Sequence, residues 1–223
     1  MSNVVLVLKT GGSYNFQDVE LLCARLHMYW KSEQKINIYC LYDKVHEEVR
    51  LANCTLLPMT YSRWKGWWSK LNLFSPQIEY LRPFLYLDLD TAIVGDISSL
   101  FNRKEQEIIG LEDFYFKNKF ASGVMWIPSN NLIVNRIWVE WNKCPEKYIQ
   151  TYRGDQNFIS NFICSNLYWQ SLTDMICSFK ARGKERGWLQ EVPKQISIVC
   201  FHGRPKIQEA ARTIKWLKEY VKE

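Results

Sequence analysis

Asp88 and Asp90 close an unbroken apolar run, Phe84-Leu85-Tyr86-Leu87, in the octet FLYLDLDT. At the end of a strand, side chains at i and i+2 point to one side, so the two acids can converge while Leu89 faces the core. Two convergent carboxylates form an incomplete shell for magnesium or manganese, which completes its sphere with substrate phosphate oxygens. The alternative is that the acids only cap a turn after the strand. His202 follows a second apolar run, residues 196–201, and opens His202-Gly203-Arg204-Pro205-Lys206. A neutral imidazole is a good borderline ligand, and Gly203 lets backbone approach phosphate. Lys206 offers a point charge where a leaving group turns negative. A lone strand-end histidine is more often satisfied by a backbone carbonyl; beside two acids, His202 is read as the third metal ligand.

Other segments carry weaker signals. Thr10-Gly11-Gly12-Ser13-Tyr14 follows the first apolar run, where a Gly-Gly turn exposes backbone groups to a base edge and a ring offers a stacking face. For Gly12 and Ser13 a plain strand-to-helix turn is as good an account. Arg63-Trp64-Lys65-Gly66-Trp67-Trp68-Ser69-Lys70 interleaves cations and indoles, a pairing used on single-stranded nucleic acid; Trp67 and Trp68 are read as core. Asp155, after Gly154, taken alone reads as a helix N-cap. Asp113 is a loop acid, either solvated or within reach of a substrate.

The elements that must position these residues alternate. Residues 4–9 form a β-branched strand, and Asn15 with Asp18 opens a helix carrying Val19, Leu22, Cys23, Leu26 and Trp30 on one face. Strands are predicted at 36–43, 55–59, 84–87, 107–111, 123–127 and 196–201. Helices are predicted around 67–74, from about 129 with Val134, Ile137, Trp138 and Trp141 inward, near 154–156, and over 207–221. This βαβ alternation predicts an α/β fold, a mainly parallel central sheet flanked by helices, with sites at the carboxyl ends of its strands. No repeat or linker breaks the chain, so residues 1–223 are expected to form a single domain.

Composition narrows the class. At 47% hydrophobic and 23% charged residues, the chain is an ordinary globular protein. Its net charge of +6 suits nucleic acid, an anionic membrane or a phosphate-bearing small molecule alike. Arg212, Lys215, Lys218 and Lys222 alternate with Glu209, Glu219 and Glu223, as on a solvated helix face. Seven scattered cysteines without a CxxC pair argue against a zinc cluster or disulfide framework and for a reducing compartment, so a cytoplasmic location is expected. No leader or spanning segment is recognised, which leaves room for peripheral membrane contact only.

The segment Leu85-Tyr86-Leu87-Asp88-Leu89-Asp90-Thr91-Ala92-Ile93-Val94-Gly95-Asp96-Ile97 resembles the core of the GT-A-fold glycosyltransferases, closest to the retaining family that includes glycogenin and the bacterial lipopolysaccharide galactosyltransferases. The likeness runs from residue 4 to 207, and Phe201-His202-Gly203-Arg204-Pro205-Lys206 is similar to that family's terminal motif. The resemblance implies a Rossmann-like GT-A fold, a UDP-sugar donor, a glycan or other hydroxyl acceptor, and Mn2+ or Mg2+ on Asp88, Asp90 and His202. It places Thr10, Gly11, Tyr14, Lys70, Asp88 and Leu89 at the nucleotide, and Gly203 and Lys206 at the diphosphate. Ser122, Gly123, Asp113, Asp155 and Gln156 would meet the donor sugar or the acceptor, with Asp155, Gln156 and Lys206 acting in catalysis. Ile207, where many relatives carry Pro-Trp, and Lys9, where a smaller residue is common, depart from the pattern.

The expected reaction is therefore transfer of a hexose-type sugar, with retention because no unclaimed acid stands out as a base. Two rivals are weighed against it. A haloacid-dehalogenase-type phosphatase would use Asp88 as nucleophile and Asp90 as acid/base, yet that motif ends a first strand and needs a later Asp-Asp pair. A basic nucleic-acid or membrane-binding module would use residues 63–70 and the C-terminal lysines without catalysis; nucleic acid is not the expected partner.

Overall fold

The computed structural model describes residues 2–44, 49–104, 106–129, 132–163, 167–182 and 185–222. Cys164, counted among the cysteines, and Glu223, counted on the C-terminal helix face, lie outside the described residues, as does part of the helix start expected at about 129. A six-stranded sheet organises the chain. Strand β1 (Ser2–Leu8) pairs in parallel with β2 (Ile36–Tyr42), which pairs in parallel with β3 (Thr55–Pro58). On its other side β1 pairs in parallel with β4 (Phe84–Leu87). Between β1 and β2 runs helix α1 (Phe16–Tyr29). Its Asn15 accepts from Gln17 N while Asp18 closes back on Asn15 N, the expected capping box.

The second half of the sheet reverses direction. After the short strand β5 (Thr91–Ile93) come β6 (Ile109–Glu112) and β7 (Phe120–Ile127), joined by a tight loop and antiparallel to each other, with β7 antiparallel to β4. The sheet order is β3-β2-β1-β4-β7-β6, mostly parallel as the alternation predicts. The loop of residues 113–119 is tied by Asp113 Oδ1, which accepts from Tyr115 N at 2.8 Å and Phe116 N at 3.0 Å.

Helices α2 (Leu132–Lys143), α3 (Pro145–Thr151) and α4 (Asp155–Ile159) follow, then α5 (Trp169–Leu172). A three-stranded sheet, β8 (Ile176–Ser178), β5 and β11 (Ile198–Cys200), has β11 in the middle, parallel to β8 and antiparallel to β5. A hairpin of β9 (Ala181–Arg182) and β10 (Glu185–Arg186) leads between them, and α6 (Ile207–Ala210) and α7 (Lys215–Tyr220) end the chain.

Three apolar clusters hold these layers. One joins β1, β2 and β4 to α1; a second, rich in aromatics, packs Trp64, Trp68, Trp141 and Phe158 on the other face; the third seats α6 and α7 on the three-stranded sheet. Trp141, fully buried, stacks on Trp68 at 5.2 Å and meets Trp64 edge-on at 4.9 Å.

The helix expected around 67–74 is present as a 3-10 helix (Gly66–Phe74), in which Ser69 Oγ donates to Gly66 O and Asn72 Nδ2 to Ser69 O, side-chain bonds that compete with α-helical pairing. Two expectations are corrected. The single C-terminal helix is two, because Ala210 O accepts from Thr213 N and Ile214 N and the chain passes through an extended Ile214. The acids stand beyond β4 and are not on it: the strand ends at Leu87, and Thr91 N donates to Asp88 O at 3.1 Å across a turn. Their approach is made by that turn and not by the strand pleat, although Leu89 does face the core, 6% exposed.

Candidate active site

The carboxyl end of β4 opens on a cavity of about 880 Å³ whose lining includes Lys70, Asp88, Asp90, Ser122, Asp155 and His202. One wall is a closed polar network. Lys70, buried on the 3-10 helix, places Nζ 3.1 Å from both Asp88 oxygens, 3.4 Å from Asp155 Oδ2 and 3.0 Å from Ser122 Oγ. Ser122 Oγ donates to Asp155 Oδ2 at 2.6 Å, and the Tyr86 hydroxyl donates to Asp88 Oδ1. Burial alone would strip Lys70 of its proton, but Asp155 and Asp88 outweigh it and hold the ammonium well above its ordinary range. Burial, followed by the Asp88 charge, pushes the Tyr86 phenol far up, so Tyr86 is a donor at any ordinary pH.

Asp155 is the first residue of α4, whose N-cap is Gly154 without a side-chain bond, so the N-cap reading of Asp155 gives way to a carboxylate turned into the network. Gly123 on β7 brings backbone against Asp88: its O accepts from Asp88 N at 2.9 Å, and an added Cβ would stand 3.6 Å from Asp88 Oδ2.

The other wall hangs on the three-stranded sheet. Phe201 N donates to Asp90 O at 2.8 Å, fastening the acidic turn to the end of β11. Lys206 Nζ stands 3.3 Å from Asp90 Oδ2 and 4.5 Å from the centre of the Tyr14 ring, and donates to the Tyr14 hydroxyl. Ser178 Oγ accepts from Lys180 N at 3.0 Å and Ala181 N at 2.8 Å, which leaves its own proton for His202 Nε2, 2.6 Å away. Lys180 Nζ donates to His202 O and to Arg204 O, the latter at 2.8 Å, bracing Gly203 in a left-handed turn at φ +75°. Burial and then the Lys180 charge push His202 down to about 4, so its ring is neutral at pH 7.

Among the described residues no three His, Cys, Asp or Glu side chains are grouped so as to hold a metal ion, so Asp88, Asp90 and His202 share one cavity without forming a closed ligand set. Lys70 and Lys206 stand on the acids, and Ser178 meets the Nε2 of His202. The donor chemistry nevertheless suits a hard cation. Burial, then the neighbouring Asp88, holds the Asp90 carboxyl up to about 6 against the opposing charges of Lys206 and Lys70, and two neighbouring carboxylates are the oxygen donors such an ion takes.

The remaining expected residues fall on both sides of the cavity wall. Gln156, Asp113 and Gly203 line the cavity with Gly123. Thr10, Gly11, Tyr14 and Lys206 lie outside its lining. Tyr14 still meets the site through Lys206 and Asp90, while Thr10 N and Oγ1 donate to Asp43 at 2.9 and 2.7 Å. The Leu89 side chain is in the core, so only its backbone could reach a nucleotide.

The basic aromatic segment does not act as one surface. Trp68 is buried as expected, Trp64 is buried as well, Lys70 is spent on acids, and Trp67, read as core, is 59% exposed. An unbroken nucleic-acid strip is not present there.

Four residues escaped notice. Tyr86 lies two before Asp88, and Asp43 ends the run Ile36–Tyr42 as Asp88 ends its own; both signals were in the strand pattern. Ser178 and Lys180 carry none, since β8 reaches His202 only through the pairing of distant strands.

No protein-family model matches this sequence, and no curated protein resembles it in sequence. The architecture is that of the GT-A glycosyltransferases. It superposes on the glycosyltransferase GlyE of Streptococcus pneumoniae TIGR4 with a TM-score of 0.64 and 15% identity, over 100% of this chain and 60% of GlyE. The galactosyltransferase LgtC, solved with donor and acceptor sugar analogues, gives 0.60 and 12% over 98% of this chain and 93% of LgtC. The bifunctional glycosyltransferase WbbM gives 0.63 and 10% over 99% of this chain and 51% of WbbM. The chain thus spans nearly all of LgtC but well under two thirds of GlyE and WbbM. Identities this low establish a common fold. That fold does not favour the phosphatase reading of Asp88 and Asp90. No helix among the described residues is long and apolar enough to cross a membrane.

Proposed function

We propose that this chain is a metal-dependent glycosyltransferase that moves a hexose-type sugar from a UDP-sugar to a hydroxyl of a glycan or other acceptor, with retention of configuration. The observation that carries this reading is the convergence of Asp88, Asp90, Lys70, Asp155 and His202 on one cavity at the carboxyl ends of parallel strands in a GT-A fold.

Asp88, Asp90 and His202 are the residues that would hold Mn2+ or Mg2+, and the ion supplies charge neutralisation for the diphosphate as it leaves. Tyr14 gives a stacking face to uracil, with Thr10 and Gly11 at the base or ribose and the Leu89 backbone beside them. The Asp43 bonds to Thr10 support this by holding the loop open in one shape. Lys206, already drawn to Asp90, meets the diphosphate with Gly203 below it. Asp155 and Ser122 orient the sugar hydroxyls along Gly123, and Lys70 holds Asp88 and Asp155 in place through its ion pairs. Gln156 stabilises positive character at the anomeric carbon.

Retention follows from the shortage of a free base: Asp88 and Asp155 are matched by Lys70, and Asp113 Oδ1 accepts two backbone N–H bonds. The acceptor hydroxyl then enters on the leaving-group face and passes its proton to the departing phosphate oxygen. Cys23, Cys40, Cys54, Cys144 and Cys200 form no disulfide, which supports work in a reducing, cytoplasmic setting.

The test is a panel of nucleotide sugars with and without manganese, read by thermal shift and by slow donor hydrolysis. UDP and at least one UDP-sugar should raise the melting temperature only with the metal, and Asp90→Asn should abolish the rise. Indifference of the parent protein to every uridine ligand would end this reading.

A further inference from the structure

Ser178, the last residue of β8, is buried. A hydroxyl has one proton to give and two lone pairs to offer. Both lone pairs of Ser178 Oγ are taken, by Lys180 N at 3.0 Å and Ala181 N at 2.8 Å, because the chain turns back after β8 into β9. Its proton therefore goes to the His202 ring 2.6 Å away, so Nε2 accepts and Nδ1 carries the imidazole proton. The turn of residues 178–181 thus fixes the tautomer of a side chain 24 residues further along.

The rest of His202 is held as well. Lys180 Nζ donates to His202 O and Arg204 O, so the backbone of the loop is tied to the same turn. From the loop of residues 113–119, Phe114 stacks on the imidazole with ring centres 5.4 Å apart, and Tyr115 meets it edge-on at 5.1 Å. Rings in such contact resist turning the imidazole over. The Ser178 bond occupies the Nε2 lone pair, and protonated Nδ1 has none to give. Metal ligation by Nε2 and the bond from Ser178 use the same pair of electrons and exclude each other. His202 accordingly stands in the cavity without completing a metal-binding group with Asp88 and Asp90 among the described residues.

We propose that Ser178 is a positioning residue that competes with the divalent ion for His202: it parks the imidazole in the tautomer whose Nε2 can ligate, and releases that nitrogen when the ion enters. The exchange breaks one O–H···N hydrogen bond and forms one nitrogen–metal bond, with no proton transferred. Ser178 keeps its proton and turns it away, and Nδ1 keeps its own. A buried hydroxyl proton left without that partner is the cost of release, so the ion is held less tightly than the same three ligands would hold it if free. This inference rests on the metal-dependent reading above and adds a control on it.

The experiment titrates Mn2+ into the parent and Ser178→Ala with UDP present, reading free Mn2+ by electron paramagnetic resonance. It also records the imidazole nitrogen-15 resonances of the parent with and without Mg2+ and UDP. The chain has three histidines, so His202→Gln identifies the resonances of residue 202. Before the ion is added, Nδ1 should be protonated and Nε2 should carry the signature of a hydrogen-bond acceptor; with the ion, Nε2 should shift while Nδ1 stays protonated. Mn2+ affinity should rise about five-fold in Ser178→Ala, the worth of one neutral hydrogen bond removed from the competition. A serine of purely structural use would leave the affinity unchanged or lower it. A proton on Nε2 in the ion-free parent, an Nε2 resonance unmoved by bound ion, or an unchanged or lower affinity in Ser178→Ala overturns the proposal. If that variant does not fold, the resonances of the parent decide alone. A parent that takes up no ion with UDP ends the metal-dependent reading, and leaves Ser178 nothing to compete with; a parent that binds the ion and gives any of the other adverse results ends this proposal alone.

Discussion

The two walls of the cavity are built on different principles. At the end of the six-stranded sheet, Lys70, Asp88, Ser122 and Asp155 are joined by direct side-chain bonds, and of the four only Asp88 is as much as 30% exposed in its side chain. At the end of the three-stranded sheet, Lys206 and Lys180 are partly solvated, and the loop of residues 202–206 is braced through its carbonyls. A buried charge network cannot lose one member without stranding the others, whereas a solvated cation can be removed and replaced by water. The first wall therefore couples folding to function, and the second is free to rearrange around a ligand.

The sharpest way to break this contrast is Lys70→Met. It leaves the buried Asp155 and the partly buried Asp88 without a counter-charge and should cost about 3 kcal/mol in urea unfolding; a loss under about 1 kcal/mol would show that the first wall is no network. Lys206→Ala is expected to behave oppositely. Its unfolding free energy should stay within about 1 kcal/mol of the parent, since the pair with Asp90 is partly exposed. UDP affinity, measured by calorimetry with manganese, should fall about 10- to 100-fold through loss of a charge-assisted bond.

Lys180→Met probes the carbonyl bracing. Stability should drop by about 1 kcal/mol, with faster amide exchange at Gly203 and Arg204 and unchanged exchange on β4. Exchange rising equally on both sheets would merge the two walls into one cooperative unit.

The smallest effect concerns pH. Burial tends to raise the Asp43 carboxyl, but bonds from Lys9 and Thr10 outweigh it and leave Asp43 below the ordinary aspartate range when folded. A lowered folded pKa stabilises above the unfolded value and loses that stability as pH falls through the folded one. Acidification below about pH 4 should thus weaken the parent more than Asp43→Asn, in unfolding followed by circular dichroism. Parallel pH curves would remove Asp43 from the account.

How far the chain could be read in advance follows from the range of the forces involved. Period-two runs, the Asn15 and Asp18 cap and the Leu87-Asp88 boundary are local, set by neighbours within a few residues, so β1, α1, β2 and β4 and the acid pair were legible in the amino-acid order alone. Lys70 and Asp155 were placed at the site through likeness to a family, not through local pattern, and His202 through its strand-end position taken together with the acid pair. Tertiary contact alone decided that Lys70 serves two acids 18 and 85 residues away, that Ser178 takes the imidazole of His202, and that Trp67 stands in solvent while Trp68 goes to the core. Each of those outcomes depends on which surface meets which after folding, and a burial or a charge pairing of that kind leaves no trace in spacing along the chain.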